Sequence, residues 1–597
     1  MTKKLVAMLL SFSMVMCLLA GCGGNGSAAS SGASNDQAST PTEASQQAPT
    51  QDEAPAAPAE NAEPASEAEA SVEEAAPTVE QGPTNEWYSE HIGVKDYDLP
   101  LFEDGLDLSI FWVQLGAMGG AEQPLKKDLL FWQRVQEKLG VTLTFKQASE
   151  AVCNEQYNLM IASGDMTDLI YESNCGAMGA TSVYNGGYDK AIEDDVYVDL
   201  TDIIPEYAPN YYAILQSDDN VRRDLTTDTG KLYSIAMIYD QPQGVREGPL
   251  VRSDYLADTG LPEPVTTEDW MEVFKAMKSN GVQYPMGVSN SGDIRGGFFG
   301  AAFGTSGGHA FKVNLETDEL VYDGTSDELR DFVEYFSQAF KAGYINPDYA
   351  YAQMFDDSLQ TSGATALFGG MDRDLTNMKT NYGLDLQAVH MTYPEGSEAP
   401  KEYNYEYAKQ RTSGMKNIVV TASCAEPEKA VQFLDWFYST DGASAVNFGF
   451  EEGESYQVVD GVKQMLPLML ERNEDLVSYQ VIYALDEGPG FQIVKKNNPI
   501  NEDYVNEAKN IWLDYDTSKA LYSATPTLAF TAEEAEDMAQ INSDIYTHVA
   551  TEISKFMMGE SELNDDTWNA FVSDVEAMGL DELQSFYEAA YSRYESR

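Results

Sequence analysis

The spacing of apolar residues predicts a repeated strand–helix order at the start of the folded part of the chain. Apolar residues alternate or run continuously in the strand candidates, and they recur at helical spacing between them. Gly140 follows the first helical run as a stop signal. The predicted strands are 106–113, 141–145 and 169–171, and the predicted helices are 129–139 and one ending near 162. Strands that alternate with helices indicate a parallel sheet with right-handed crossovers.

The stretch 228–261 predicts a strand, a break, a second strand and a helix. Residues 232–239 are mostly small or apolar on both faces, as in a buried strand. Gln241–Gly244 interrupt this strand, residues 249–251 resume it, and a helix runs from Arg252 to Gly260. Because 597 residues need more than one core, we interpret this stretch as a crossing between two lobes, with a cleft beside it.

Later segments extend the same pattern. Thr266 followed by Glu268 and Asp269 predicts a capped helix, in which Trp270 is expected to pack in the core. Residues 386–393 are expected to cross back to the first lobe. Further predicted elements are helices at 329–340 and 426–437 and strands at 364–370 and 418–421.

Several of these stretches resemble the extracellular solute-binding proteins, the maltose-binding-protein-like receptors of ABC importers. Residues 157–170 (YNLMIASGDMTDLI) match the family pattern Phe-Asn-hydrophobic-Met-hydrophobic-Ala-Ser-Gly-Asp-x-x-Asp followed by two hydrophobic residues. Weaker matches occur at the crossing, in GYINPD at 343–348 and in PEKAVQFLD at 427–435. The chain departs from the family at 234–236, where Ser-Ile-Ala replaces Gly-hydrophobic-Pro. The resemblance extends from about residue 104 to residue 597.

The resemblance implies an α/β chain with a two-lobed, periplasmic-binding-protein-like fold of type II, in which interleaved lobes are joined by hinge strands. The solute-binding domain is expected over 87–597. We place lobe one at about 104–240 and 395–460, and lobe two at about 241–394 and 461–597. The implied function is capture of a solute, most directly an oligosaccharide, for delivery to ABC permease subunits.

The N-terminal residues predict export and lipid anchoring. Lys3 and Lys4 precede a short apolar run, and residues 1–21 match a signal peptide. Leu19-Ala20-Gly21-Cys22 resembles a bacterial lipobox, which implies a lipid on Cys22; an ordinary secretion signal is the alternative. Residues 22–86 are rich in Ala, Pro, Glu and Ser and predict a disordered linker. We therefore expect a protein anchored to the outer face of the cytoplasmic membrane.

The charge of the chain argues against nucleic acid as a partner, and its few cysteines argue against a disulfide framework. The formal net charge of −62 disfavours nucleic acid as a partner. Of five cysteines, Cys17 leaves with the signal and Cys22 takes the lipid, so too few remain for a disulfide framework. Cys153 and Cys175 could pair, but three isolated buried thiols, with Cys424, is the state that we expect.

The sequence offers no catalytic or metal constellation. None of the four histidines lies at zinc-ligand spacing, and neither a nucleophile elbow nor a P-loop occurs. Asp165 and Asp168 could act as paired carboxylates, but a helix-to-strand turn is the preferred interpretation. The acidic loop of Asp323, Asp327 and Glu328 lacks EF-hand spacing, which leaves only a nonstandard calcium site open. We predict no enzyme activity, cofactor or resident metal.

The binding site is predicted from the rule that ligands lie beyond the carboxyl ends of strands in open α/β sheets. We expect Trp112 and Tyr239 to stack on a sugar, and Asp240, Asp372 and Arg373 to hydrogen-bond it. Trp112 has a core position as its alternative, and Arg373 an ion pair with a neighbouring aspartate. The full candidate set is Trp112, Gln114, Asn174, Tyr239, Asp240, Arg295, Phe299, Asp372 and Arg373.

Three functions remain open at this point. The first is a monomeric, lipid-anchored receptor that delivers an oligosaccharide to an ABC permease. The second is a surface glycan-binding or adhesive lipoprotein without a transport role. The third, disfavoured by the missing catalytic residues, is a polysaccharide-acting enzyme.

Overall fold

The computed structural model describes residues 94–597 with short gaps. The gaps are 115–123, 150–151, 173–183, 185, 241–246, 289–297, 309, 350–357, 372–374, 376–377, 380–381, 404–410, 460, 471–478, 486–487, 494–502 and 527. The predicted signal peptide, Cys22 and the linker lie outside the described residues.

The strands form several separate sheets. In chain order they are β1 Leu106–Gln114, β2 Val141–Ser149, β3 Leu169–Glu172, β4 Ile235–Tyr239, β5 Glu247–Arg252, β6 Tyr284–Met286, β7 Phe311–Asn314, β8 Glu319–Tyr322, β9 Thr365–Met371, β10 Leu386–Ala388, β11 Glu402–Tyr403, β12 Thr412–Val420, β13 Tyr456–Val459, β14 Val462–Met465, β15 Gly490–Gln492 and β16 Tyr522–Ala524.

The helices cover these sheets. In chain order they are α1 Leu130–Leu139, α2 Cys153–Ser163, α3 Gly187–Glu193, α4 Ile204–Tyr207, α5 Pro209–Ser217, α6 Asp219–Asp224, α7 Ser253–Thr259, α8 Thr267–Ser279, α9 Phe298–Phe303, α10 Asp327–Lys341, α11 Ser358–Thr361, α12 Pro427–Asp435, α13 Thr440–Phe448, α14 Tyr479–Tyr483, α15 Asp503–Trp512, α16 Ala532–Met558, α17 Asp565–Ala577 and α18 Leu580–Ser596.

The first sheet has the order β15-β4-β12-β3-β1-β2, and we call the part of the chain built on it lobe one. β1 pairs in parallel with both β2 and β3, as the strand–helix alternation predicts. Alternate residues of β1 pack into two different cores, one on each face of the sheet. Burial on both faces explains why the second half of β1, residues 110–113, and the first three residues of β3 are continuously apolar, whereas the first half of β1 alternates with the exposed Asp107 and the half-buried Ser109.

The second lobe is built on two further sheets that share one core. The second sheet has the order β10-β5-β9-β6, and the third has the order β11-β16-β7-β8. Leu250 of β5 and Val313 of β7 belong to the same core cluster, together with Trp270. Trp270 is fully buried and its Nε1 donates to Thr392 Oγ1 at 2.9 Å, so the predicted core role is confirmed.

Helix ends follow the sequence signals. Thr266 Oγ1 accepts from the backbone N–H of Asp269, and the Asp269 carboxylate accepts from the backbone N–H of Thr266, which makes a capping box at the start of α8. Gly140 ends α1 in the left-handed conformation, with φ 72°. Gly164 and Gly260 end α2 and α7 in the same way.

The chain passes between the lobes at positions that differ in part from the expectation. β4 ends at Tyr239 and the next strand, β5, lies in the second sheet, as the predicted crossing requires. β11 still pairs with β16 in the third sheet, so the return lies between β11 and β12 rather than near Tyr393. β15 pairs with β4 in the first sheet, although we assigned 461–597 to lobe two. β11 has two residues and β15 has three, and strands this short have no hydrophobic pattern from which the strand they pair with can be predicted.

The cysteines differ from the expected set of isolated thiols. Cys424 is a free, buried thiol, and burial raises its pKa to about 11. Cys153 is disulfide-bonded, and its partner lies outside the described residues. Among the described residues, no helix is long and apolar enough to cross a membrane.

Candidate functional site

Strand directions bring five carboxyl ends to one edge of the first sheet. β2 and β3 run parallel to β1, and β15 runs parallel to β4. β12 is antiparallel to both β3 and β4, so it starts at the edge where the other strands end. We call this the shared edge. Its location beside the crossings fits the rule that ligands bind beyond carboxyl ends of strands.

The segments that leave and enter the first sheet are bonded side by side at the shared edge. The backbone N–H of Tyr239 donates to the carbonyl of Arg411 at 2.7 Å, and Arg411 Nε donates to the Tyr239 carbonyl at 3.0 Å. The backbone N–H of Asp240 donates to the carbonyl of Gln492 at 2.8 Å. Arg411 is held in turn by Asp218, with 2.8 Å between Nη1 and Oδ2. These bonds hold the outgoing and returning segments against each other at the shared edge.

Trp112 lies at the shared edge with its ring fully buried. The ring stacks on Tyr171 with centroids 4.1 Å apart, and it meets the edge of Trp132 at 5.5 Å. One face of the indole is therefore covered by protein, as the core alternative for Trp112 requires. Stacking of Trp112 on a ligand stays a prediction.

Two buried N–H donors at this edge have no acceptor among the described residues. Trp112 Nε1 and Gln147 Nε2 are both inaccessible to solvent. The two residues are register partners in β1 and β2, so their side chains lie on the same face of the sheet. Gln147 Oε1 accepts from the Lys126 backbone N–H at 2.7 Å, which fixes the amide with its NH₂ group still able to donate. Leaving a buried donor unpaired is costly, and these two N–H groups lie side by side at the shared edge, which makes the pair a candidate for binding an acceptor oxygen of a ligand.

Sequence reasoning missed Gln147. The residue belongs to β2, whose alternation was visible, but the register that places it opposite Trp112 was not. Lys126 was also missed, and its ammonium lies 5.2 Å from the centroid of the Trp112 ring. The only sequence signal for Gln147 is that it continues the alternation of Val141, Leu143 and Phe145 in β2 with a polar side chain.

The other predicted site residues are only partly described. Tyr239 is half-buried and Asp240 is buried, and both lie at the shared edge. Phe299 is buried in the core of lobe two, where it stacks on Tyr335 with centroids 5.6 Å apart. Gln114 ends β1, but its side chain lies outside the described set. The residues outside the described part of the chain are Asn174, Arg295, Asp372 and Arg373.

A buried carboxyl group occupies the end of β3. Glu172 accepts from Tyr188 at 2.8 Å and from Tyr197 at 3.1 Å, and Tyr157 lies 2.6 Å from the Tyr197 hydroxyl. Burial raises the pKa of Glu172 to about 8, more than these hydroxyl donors lower it. The group is therefore mostly neutral at pH 7. It packs on the sheet face opposite to Trp112.

The acidic pairs noted in the sequence have structural roles. Asp168 Oδ2 accepts from the Ser109 backbone at 2.7 Å and from its hydroxyl at 2.6 Å, which ties the entry of β3 to β1. Asp165 is exposed on the turn after α2. Asp323 is fully buried and pairs with Lys312 at 3.0 Å, so an ammonium already neutralises it. In the described part of the chain, no three potential metal ligands cluster.

Comparison with known proteins agrees with this architecture. The family model of the bacterial extracellular solute-binding proteins matches residues 133–446. Lipoprotein LipO of Bacillus subtilis is 22% identical over 454 residues, which cover 73% of this chain and 81% of LipO. The fructooligosaccharide ABC transporter substrate-binding protein FusA of Streptococcus pneumoniae is 22% identical over 79% of this chain and 88% of its own length.

Solved structures show the same fold. An HMO-binding, ABC-transporter-associated solute-binding protein from Bifidobacterium longum infantis superposes with a TM-score of 0.65 at 15% sequence identity. The match covers 82% of this chain and 99% of that protein. The expected class is therefore confirmed as a two-lobed α/β fold of the solute-binding type.

Proposed function

Since this chain belongs to the family of bacterial extracellular solute-binding proteins, we propose that it captures an oligosaccharide and delivers it to an ABC permease. The family and its relatives bind substrates without transforming them, so the chain is a binding protein and not an enzyme. The oligosaccharide class and the delivery step are the two elements that the proposal adds to family membership.

The observation that carries the proposal is the pair of unsatisfied donors at the shared edge. Trp112 Nε1 and Gln147 Nε2 supply N–H groups in a dry setting, where a hydrogen bond contributes more than in water. Sugars present closely spaced hydroxyl and ring oxygens that accept such bonds. Tyr239 and Asp240, at the same edge, add an aromatic surface and an acceptor for sugar hydroxyl groups.

The relatives point to the same ligand class. FusA is named for fructooligosaccharides, and the Bifidobacterium protein is described as HMO-binding. Both names also connect binding to an ABC transporter. We extend to this chain the oligosaccharide class and the transporter, but not any particular sugar.

The lipid anchor completes the proposal. Cys22 follows a lipobox-like run, and the relative LipO is a lipoprotein. A tether of residues 22–86 would let a monomeric receptor exchange between solvent and a permease in the same membrane.

The test is a ligand screen on the purified chain. Oligosaccharides of fructan, milk and uronate type are added in a thermal-shift assay, and each hit is measured by calorimetry. A ligand at 100 times its Kd stabilises the folded state by about 2.7 kcal/mol, which raises Tm measurably. Absence of any stabilising oligosaccharide would contradict the ligand class. Binding without loss of uptake in a deletion strain would instead favour the adhesive function.

A further inference from the structure

The last helix of lobe two reaches across to lobe one. Leu580 and Leu583, at the start of α18, belong to the core of lobe two. Arg593, near the end of the same helix, donates from Nε to Asp228 Oδ2 at 2.6 Å. Asp228 lies in the turn before β4, between Leu225 and Leu232 of the lobe-one core. α18 therefore bridges the two cores.

The charges in this bridge are balanced and largely shielded from water. Arg597 donates to the other oxygen of Asp228, from Nε at 2.8 Å and from Nη2 at 2.5 Å. Arg593 also makes a two-pronged contact with Glu534 of α16, at 2.8 and 2.6 Å. The Arg597 side chain is 5% exposed and that of Asp228 is 14% exposed. Multiple charge-assisted bonds of this kind fix geometry as well as contribute energy.

A second contact connects the bridge to a crossing strand. Asp224 Oδ1 accepts from the Tyr594 hydroxyl at 2.9 Å, and its Oδ2 accepts from Thr412 Oγ1 at 2.8 Å. Thr412 is the first residue of β12, where the chain has just returned to the first sheet. One carboxylate thus holds both the lobe-two helix and the start of a crossing strand.

We propose that these contacts form a clasp, made of Asp224, Asp228, Arg593, Tyr594 and Arg597, that sets the angle between the lobes and thereby the ligand affinity. The effect on ligand affinity rests on the proposed function, whereas the effect on the angle between the lobes does not. Lobe closure rotates rigid bodies about a few crossing residues. Bonds that join both bodies next to those residues hold only over a limited range of angles, so they bias the equilibrium between orientations.

The experiment measures the distance between the lobes in the full chain without ligand. Spin labels are placed on exposed positions, one on β2 by Thr142→Cys and one on α8 by Glu272→Cys, and their distance distribution is recorded by pulsed electron resonance. Asp228→Asn and Arg597→Gln each remove charge pairing between lobes. We expect either change to shift or broaden the distribution beyond that of the parent chain, because the bonds that limit the range of lobe orientations are lost.

Matched variants separate the clasp from general damage. Arg134→Gln removes an arginine–carboxylate contact with Glu454, at 3.1 Å between Nη2 and Oε1, that lies wholly within lobe one. It should leave the inter-lobe distance unchanged. Arg597→Lys keeps the charge and should restore most of the parent distribution. Circular dichroism confirms that each variant is folded.

The outcomes separate this proposal from the proposed function. Unchanged distance distributions in folded Asp228→Asn and Arg597→Gln would overturn the clasp, whether or not any sugar binds. With a ligand from the screen, we expect Kd to change at least threefold in both variants, and not in Arg134→Gln. A changed distance with an unchanged Kd would overturn the link to affinity. A failed ligand screen would count against the proposed function and leave the distance result standing.

Discussion

At the residue scale, the unsatisfied donors of Trp112 and Gln147 give the sharpest test of the binding site. Trp112→Phe keeps an aromatic ring against Tyr171 but removes the N–H, and Gln147→Glu keeps the acceptor for Lys126 but removes the NH₂ donor. We expect each change to raise Kd by about tenfold, or roughly 1.4 kcal/mol, because a ligand oxygen loses its donor. Isothermal titration with the ligand from the screen measures this change.

The control for that prediction is Trp436→Phe, in the same core cluster. Trp436→Phe should lower the free energy of unfolding about as much as Trp112→Phe does, without changing the Kd for the ligand. The stronger truncation Trp112→Ala should also weaken binding at least tenfold, but it opens a cavity in the core and is less specific. Unchanged affinity in both Trp112→Phe and Gln147→Glu would show that the ligand binds elsewhere.

Glu172 predicts a pH dependence of stability. Its pKa is raised from 4.5 to about 8 by burial, so the unfolded chain releases this proton at lower pH than the folded chain does. Stability from this group is therefore fully present below about pH 4.5 and is lost as the pH rises towards 8. Glu172→Gln removes the titrating proton and should stabilise the chain by at least about 1 kcal/mol more at pH 8 than at pH 5.

Urea unfolding of the parent chain and of Glu172→Gln at pH 5 and pH 8 measures this difference. Tyr188 and Tyr197 can still donate their hydroxyl hydrogens to an amide oxygen at this position, so the variant is expected to fold. An equal effect of the substitution at both pH values would mean that Glu172 is already ionised at pH 5.

At the element scale, the sequence identified elements better than their partners. The parallel start of the first sheet follows from apolar runs separated by helices with glycine stops, because these signals are local. The return to lobe one and the placement of β15 were wrong because their strand pairing joins residues far apart in the chain. For the binding site, the sequence predicted only that it lies beyond the carboxyl ends of the strands. Gln147 could be recognised only from the register of β1 and β2.

The turn between α2 and β3 tests whether the paired aspartates have only a structural role. Asp168→Ala removes the acceptor that ties Ser109 to the entry of β3, and should lower the free energy of unfolding by about 1–3 kcal/mol. Asp165→Ala, on the exposed side of the same turn, should change it by less than about 0.5 kcal/mol. Denaturant unfolding measures both, and ligand affinity should stay unchanged. Loss of binding with intact stability in Asp168→Ala would assign it a functional role.

At the scale of the whole molecule, strong acidity and a long polar N-terminal segment favour a receptor held away from the membrane. The net charge of −62 repels anionic lipid surfaces, and the segment 22–86 carries no lysine or arginine that would hold it there. On the proposed function, a lipid on Cys22 would therefore supply the attachment to the membrane. Two acyl chains anchor a protein stably, whereas one does so only weakly.

Cys22 is the residue on which we predict the membrane location to depend. Cells fed a clickable fatty-acid analogue should incorporate it into the parent chain, and Cys22→Ala should abolish the label because the thioether needs the cysteine sulfur. The variant should also move from the membrane fraction to the medium or the wash. Cys17→Ala changes a cysteine five positions earlier, within the apolar run, and should keep both the label and the membrane location. Label that survives Cys22→Ala would place the lipid on another residue and remove the basis for a tethered receptor.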